Sequence, residues 1–214
     1  TATRPVPSGR VSPRAALAFG VGLQVASFAL LSLTVNVLAA SLALAGFLGY
    51  VFVYTLWLKR TTPQNIVIGG AAGAVPPLVA WAATTGSLSW NAVYLFAIVF
   101  YWTPPHFWAL SLLMKDEYAR VGVPMMPVVH GERETRRQIL LYTGLLVVLT
   151  LLPVAFGFFG AVYAAAALAL GAAFLVLAVR LQRRADRAGA LRTYLFSLAY
   201  LALLFGAMVA DARL

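Results

Sequence analysis

The sequence predicts an all-α protein, a bundle of helices that crosses a membrane several times. Of its 214 residues, 62% are hydrophobic and only 10% are charged, whereas a soluble domain is close to half apolar and a quarter charged. The apolar residues form runs of about 20, the length that a helix needs to cross the hydrocarbon layer. The connections are mostly brief and no repeat separates the runs. We therefore expect a single transmembrane domain that covers residues 1–214.

Seven apolar runs reach the length of a membrane span. In chain order they cover residues 15–35, 37–58, 65–84, 90–113, 138–158, 160–181 and 192–211. Adjacent prolines occur in two of them, Pro76 and Pro77 in the third run and Pro104 and Pro105 in the fourth. Proline removes a backbone donor and kinks or breaks a helix, and irregular backbone at membrane depth is tolerated where it lines a cavity. We therefore expect a break in each of these helices, with a cavity beside them.

The basic residues predict the orientation of the bundle. All but one of the 16 lysines and arginines lie before the first run or around the connections that follow the second, fourth and sixth runs. Membrane proteins concentrate Lys and Arg in cytoplasmic loops. We therefore expect these segments, and the active face, on the cytoplasmic side of the membrane.

Residue counts and positions also exclude several classes of protein. The absence of cysteine excludes disulfides, thiolate metal sites and iron–sulfur clusters. The last run has no lysine, which excludes a retinal Schiff base in that span. A transporter usually buries charges in the middle of a span, whereas every charge here lies in a loop or at the end of a span. A transporter is kept as an alternative from another functional class.

The longest connection, residues 114–137, carries four of the six acidic residues. They are Asp116, Glu117, Glu132 and Glu134. The first two directly follow the fourth run, and carboxylates at the mouth of a cavity suit a Mg²⁺ ion that is shared with a phosphate group. The other two precede the fifth run, where acidic residues suit a helix N-terminus; a purely solvated loop stays open as their other interpretation.

The connection after the second run supplies positive charge. Lys59 and Arg60 follow that run, and Thr62 and Asn65 add hydrogen-bonding groups where the third run begins. A helix N-terminus favours an anion through its free N–H groups and its dipole, so we predict an anion site here. The alternative is that Lys59 and Arg60 only anchor the topology.

The two histidines are the remaining candidates for a site. His106 follows the second proline pair and lies eight residues before Met114, about 12 Å along a helix. It is either a structural residue bonded to a carbonyl that the prolines leave free, or a ligand or proton carrier, since neutral imidazole binds metals. His130 lies in the long connection, as a surface residue or as part of a site.

Four motifs together resemble one known family. The stretches RPVPSGRVSP, KRTTPQNIVIGGAAGAVPPLVAW, YWTPPHFWAL and KDEYARVGVPMMPVVHG follow each other in this order. They are similar to motifs of the protohaem IX farnesyltransferases, or haem O synthases, a branch of the UbiA-type intramembrane prenyltransferases. Beyond about residue 145 the resemblance rests mainly on hydropathy.

The resemblance implies a bundle of nine helices with two aspartate-rich regions that face a central cavity. The seven runs would be helices three to nine of that bundle. The first aspartate-rich motif of the family ends in Arg-Thr-x-x-Arg-Pro, which Thr1, Arg4 and Pro5 match in part. We therefore expect a partial chain that lacks two helices and the first set of carboxylates, and that is inactive alone.

The resemblance also implies a reaction, in which farnesyl passes from farnesyl diphosphate to a vinyl group of haem B with Mg²⁺ as cofactor. The catalytic segment would be Lys115, Asp116, Glu117 and Tyr118, with Asp116 and Glu117 holding the metal. The diphosphate would be bound by Arg4, Lys59, Arg60, Thr62 and Asn65. Haem would contact His106 and His130, and the aromatic walls that shield a carbocation from water would include Trp102, Phe107 and Trp108.

A quinone precursor is the alternative acceptor. The general superfamily pattern has two Asp four residues apart, whereas Asp116 is followed at that spacing by Arg120, and KDEY resembles the haem branch. This departure leaves open which of Asp116 and Glu117 meets the metal. The expected partners are farnesyl diphosphate, haem B, the lipid bilayer and a haem A synthase that takes the product; no nucleic-acid partner is expected.

Overall fold

The structure is a computed structural model that describes residues 4–212, and all regular structure in this range is helical. The longer helices are α1 (Pro13–Thr34), α2 (Val37–Leu48), α4 (Asn65–Gly73), α5 (Val75–Thr85), α6 (Trp90–Leu113), α9 (Gly131–Ala155), α10 (Ala161–Arg184) and α11 (Arg187–Asp211). A π-helical segment, Gly49–Leu58, joins α2 to the short α3 (Lys59–Thr61). The short helices α7 (Lys115–Arg120) and α8 (Met126–Val129) lie between α6 and α9. The predicted all-α fold is confirmed.

Within residues 4–212, six helical stretches are long and apolar enough to cross a membrane, and they correspond to six of the seven predicted runs. The remaining run is α6, which has 24 residues and no charged side chain, but whose tryptophan, tyrosine, proline and histidine residues lower its mean hydropathy. This helix is central in the bundle and contacts α4, α5, α9 and α11. The protein is therefore an integral, multi-pass membrane protein.

The third run breaks close to its proline pair, as predicted. Helix α4 ends at Gly73, and α5 begins at Val75, so that Pro76 lies in the first turn of the new helix. A proline is tolerated there because the first N–H groups of a helix have no partner within it. The break divides the third run into α4, which follows the turn after Lys59, and α5.

The break predicted in the fourth run is wrong, because α6 continues through Pro104 and Pro105, which are both buried. Residues on either side of the pair bind the neighbouring helix: Trp102 and His106 both hydrogen-bond to Ser197 of α11. Prolines are tolerated in membrane helices where neighbouring helices supply such contacts. The prolines therefore lie within one continuous helix, which is hydrogen-bonded to α11.

The π-helical segment packs closely on α4. The ring of Tyr54 lies so near Gly69 that a Cβ atom at that position would overlap it. The wide turn is supported by Thr55, whose hydroxyl donates to the carbonyl of Tyr50, five residues earlier, at 2.9 Å. This contact positions the end of the segment, where Lys59 lies, relative to α4.

Candidate active site

His106 of α6 contacts two aromatic rings. Its imidazole stacks on Trp102, one turn earlier, with ring centroids 4.3 Å apart and planes inclined by 18°. It also stacks on Tyr194 of α11, with centroids 4.9 Å apart and an angle of 29°. Its Nδ1 atom lies 2.7 Å from the Oγ atom of Ser197. The half-buried ring is thus fixed in position by two helices.

This partner of His106 differs from the one that the structural interpretation of the sequence suggested. That interpretation paired His106 with a carbonyl left free by the prolines, whereas the structure pairs it with a hydroxyl on another helix. Ser197 is fully buried, and its own carbonyl accepts a 2.7 Å hydrogen bond from Trp102 Nε1. Trp102 and His106 of α6 therefore both hydrogen-bond to Ser197 of α11.

Sequence reasoning missed Tyr194 and Ser197. A signal was present in the last apolar run, where the polar residues Thr193, Ser197 and Tyr200 recur at helical spacing. All three are fully buried in the structure. Their side chains lie on the inner face of α11, which packs against α6 and α10.

The three predicted aromatic walls have different positions. Trp102 stacks on His106, and Phe107 meets the same imidazole edge-on, with centroids 6.3 Å apart. Trp108 is fully buried and packs edge-on against Tyr142 at 5.2 Å. The prediction that Trp108 lines a cavity is wrong, because its ring belongs to the core between α6 and α9.

His130 is not associated with His106. It is exposed and immediately precedes α9. Within residues 4–212, no hydrogen bond or ring contact joins the two histidines. The structure therefore does not bring together the two residues that were predicted to contact haem.

The KDEY segment forms helix α7, just after the end of α6. Asp116 and Glu117 are exposed, whereas Lys115 and Tyr118 are half-buried. Tyr118 packs against the hydrophobic core that contains Trp108. Burial, and secondarily the Glu117 carboxylate, raise the pKa of Tyr118 above its usual value. Its hydroxyl therefore stays protonated, as a hydrogen-bond donor, at neutral pH.

Lys115 already has a carboxylate partner. Its Nζ atom lies 3.0 Å from Glu132 Oε1, and Arg136 approaches the other oxygen of Glu132 at 3.5 Å. Glu132 is therefore an ion-pair partner rather than an isolated loop charge. Because Lys115 and Glu132 are 38% and 45% exposed, this pair contributes little to stability, and a more highly charged anion could compete for Lys115.

Asp116 and Tyr118 lie on opposite sides of α7. Asp116 lines a pocket of about 220 Å³ at the ends of α6, α9, α10 and α11, together with Arg136 and Arg187. Tyr118 instead lies against the hydrophobic core that contains Trp108. Successive residues of a helix are rotated by about 100°, so Glu117 lies between these two directions.

Four of the five predicted diphosphate-binding residues lie at the turn between α3 and α4. Lys59 is half-buried and Arg60 exposed, and neither forms a salt bridge with any described residue. Asn65 Nδ2 donates to the carbonyl of Thr62 at 2.7 Å, and the Thr62 hydroxyl accepts from the N–H of Gln64. Asn65 is fully buried, and its Oδ1 atom has no partner among residues 4–212. The turn therefore combines free cations with fixed amide groups.

Arg4 is the first residue that the structure describes, and Thr1 lies outside the described residues. The Arg4 side chain is exposed, and its carbonyl accepts a hydrogen bond from the N–H of Ser8 at 2.9 Å. No salt bridge in the described chain joins Arg4 to α3 or α7. Its predicted role toward a diphosphate is not supported by a contact in the structure.

The carboxylates of α7 are not paired with the cations at the turn between α3 and α4. No ion pair between described residues joins α7 to Lys59 or Arg60, and residues 4–212 contain no group of three His, Asp or Glu side chains that could hold a metal. Magnesium in phosphate-binding sites is commonly held by one or two carboxylates together with substrate oxygens. The two exposed carboxylates of α7 fit a Mg²⁺ ion shared with a diphosphate, rather than one bound by the protein alone.

The pattern of the UbiA prenyltransferase family matches residues 1–204. The chain belongs to this family. A solved structure, described as giving insight into digeranylgeranylglyceryl phosphate synthase in membranes, covers 98% of this chain and 74% of its own, with a TM-score of 0.79 and 20% identity. At this identity the likeness establishes the shared UbiA-type fold and no more.

Several curated UbiA-type relatives are similar to nearly the whole chain. The protoheme IX farnesyltransferase of Roseiflexus sp. (strain RS-1) is 56% identical over 211 residues, which are 99% of this chain and 40% of the relative. The enzyme of the same name from Azorhizobium caulinodans is 55% identical over 216 residues, which are 99% of this chain and 70% of the relative. The chain thus spans less than half the length of the first of these relatives.

Proposed function

We propose that the protein transfers the farnesyl group of farnesyl diphosphate to a vinyl group of haem B, producing haem O. The observation that carries this proposal is the 53–56% identity, over 99% of the chain, to relatives named protoheme IX farnesyltransferase. Because the matches cover nearly the whole chain, they include α6, α7 and the turn between α3 and α4. Identity at this level supports the same pair of substrates.

The spacing of the candidate residues along α6 and α7 supports two adjoining subsites. His106 lies seven residues before Leu113, the last residue of α6, which corresponds to about 10 Å along the helix. Asp116 and Glu117 lie beyond that end. We infer that the diphosphate is bound near α7 and that the porphyrin lies deeper, against His106.

The proposed diphosphate site uses groups from both connections. Asp116 or Glu117 would hold a Mg²⁺ ion together with diphosphate oxygens. Bound there, the ion would neutralise negative charge on the diphosphate as it leaves. The free cations Lys59 and Arg60 would bind the same oxygens, and Lys115 would join them if it exchanged Glu132 for the substrate. Tyr118, which stays protonated, could donate to a diphosphate oxygen.

The proposed reaction has three bond changes. The carbon–oxygen bond of farnesyl diphosphate breaks, and its electron pair stays on the diphosphate. The π-electrons of a haem vinyl group then form a bond to the resulting allylic carbon. Water adds to the cation left beside the porphyrin and loses a proton, which gives the hydroxyethylfarnesyl group. Trp102 and Phe107 would shield the cation from premature attack by water.

We also propose that the protein lies in a bacterial inner membrane with α3 and α7 on the cytoplasmic side. The bias of Lys and Arg toward these connections supports this orientation. A membrane enzyme that oxidises haem O to haem A would be the natural recipient of the product.

Product analysis tests the proposed function. The full-length protein, in lipid nanodiscs, would be incubated with farnesyl diphosphate, Mg²⁺ and haem B, and separately with an aromatic quinone precursor. We expect mass spectrometry to detect a haem product heavier by one farnesyl group and one hydroxyl group, and no prenylated quinone precursor. Prenylation of the quinone precursor alone would show that the acceptor has been assigned wrongly.

A further inference from the structure

We propose that Ser197 is a positioning residue that keeps His106 in the tautomer with its proton on Nδ1, so that the lone pair of Nε2 faces the ligand. The ligand class that fits is an electron-poor centre such as porphyrin iron, and this assignment rests on the proposed function. The tautomer itself follows from hydrogen bonds within the protein.

The Ser197 hydroxyl has two close contacts and one proton. Its Oγ atom donates to the carbonyl of Tyr194 at 2.6 Å, and a carbonyl can only accept. The other contact, 2.7 Å from Oγ to Nδ1 of His106, must then be donated by the imidazole. In a neutral imidazole, a proton on Nδ1 leaves Nε2 as the acceptor. The hydrogen-bond chain from Tyr194 through Ser197 therefore selects one tautomer.

The Nε2 atom of His106 is free and accessible. Within residues 4–212 it has no hydrogen-bond partner, whereas Nδ1 has one. The His106 side chain is only partly buried. An accessible bare nitrogen in an aromatic setting can bind a Lewis acid or accept a proton.

The orientation of the ring is fixed as well as its tautomer. Trp102 stacks on His106 and binds the carbonyl of Ser197, while Tyr194 stacks on His106 and accepts from the hydroxyl of Ser197. Each aromatic residue thus connects His106 with Ser197. Metal-binding histidines usually donate their second nitrogen to an oxygen in this way, and loss of that oxygen typically costs about 10- to 100-fold in metal affinity.

Nitrogen NMR on protein labelled with ¹⁵N-histidine tests the tautomer without any ligand. The full-length protein in nanodiscs would be compared with His106→Gln, which identifies the His106 signals. We expect Nδ1 to be protonated and Nε2 bare in the wild type, and Ser197→Ala to give a mixture of tautomers or an inverted one. Protonated Nε2 in the wild type would overturn the proposal, and so would an unchanged tautomer in Ser197→Ala.

Two variants separate this role from simple packing. Ser197→Thr keeps the hydroxyl and should keep the wild-type tautomer. Thr193→Val removes a buried hydroxyl one turn away that bonds only to the carbonyl of Gly189 in its own helix, and should leave the His106 spectrum unchanged. A shift in Thr193→Val as large as that in Ser197→Ala would reduce Ser197 to a packing residue.

A haem titration by absorbance then distinguishes failure of this inference from failure of the proposed function. We expect Ser197→Ala to weaken haem B binding about 10- to 100-fold, with farnesyl diphosphate binding unchanged and with rescue in Ser197→Thr. If the tautomer changes as expected but neither Ser197→Ala nor His106→Gln alters the titration, the haem assignment fails while the tautomer stands. If His106→Gln weakens haem binding and Ser197→Ala does not, the positioning role fails alone.

Discussion

The contact of α6 with α11 and the charged segments α3 and α7 are organised in opposite ways. Around His106, a fully buried serine and two stacked rings leave the side chain no freedom to rearrange. On α7, by contrast, Asp116 and Glu117 are exposed and have no cationic partner in the described chain. Apolar surroundings force polar groups to pair within the protein, whereas water solvates charges at the ends of the helices.

This difference indicates two kinds of binding site. His106 is already held by a hydrogen bond and two stacked rings, so the proposed haem site would need little reorganisation. In the charged segments, a diphosphate and Mg²⁺ would instead neutralise the cations near α3 and the carboxylates of α7. Substitutions in the two regions should therefore have separable effects on the two substrates.

The largest expected effect of breaking the charged region comes from its carboxylates. Glu117→Gln and Asp116→Asn keep the shape of the side chain but remove the charge that balances a metal ion. We expect turnover to fall by about 100-fold or more for the carboxylate that binds the ion, together with a higher Mg²⁺ requirement. The variant with the larger loss then identifies which of Asp116 and Glu117 binds the ion.

The matched control for these variants is Glu134→Gln. Among the described residues, Glu134 hydrogen-bonds to Arg137 and Gln138 of its own helix and to no residue of α3 or α7, so its loss should leave turnover and Mg²⁺ dependence nearly unchanged. Normal Mg²⁺ dependence in both α7 variants would mean that Asp116 and Glu117 are only loop charges.

A smaller effect is expected when a cation is removed from the turn between α3 and α4. Lys59→Met should weaken farnesyl diphosphate binding by about 10-fold, because the protein loses one of the several cations that would contact the diphosphate. Raising the salt concentration should weaken binding of the same substrate in the wild type through screening of exposed charges. Haem B binding should respond to neither change. Equal salt dependence for both substrates would contradict the separation of the two regions.

The smallest functional effect should come from the packing beneath the cationic turn. Gly69→Ala adds a Cβ atom that overlaps the ring of Tyr54, and such overpacking typically costs about 1–3 kcal/mol of stability. We expect a lower melting temperature and a shift of at most a few-fold in diphosphate binding. Gly73→Ala is the control, because no atom lies within 4 Å of its added Cβ, and it should be neutral or stabilising.

The sequence predicted most of the fold and only part of the site. Apolar runs of span length located the transmembrane helices, because membrane burial leaves few alternatives to a helix. The same reasoning failed at Pro104 and Pro105, since the residues that hold α6 together are on α11, more than 90 positions later. Ser197 and Tyr194 were missed for the same reason: their role depends on which helices are neighbours, and hydropathy does not specify this.

Titration of haem B into the wild type and into His106→Ala, with farnesyl diphosphate binding measured separately, tests the central claim most directly. We expect the variant to lose the Soret change of the wild type, or to need at least about 10-fold more haem, while diphosphate binding stays within two-fold. An unchanged Soret titration with lost diphosphate binding would contradict the account. Loss of both, with a lower melting temperature, would make His106 a purely structural link between α6 and α11.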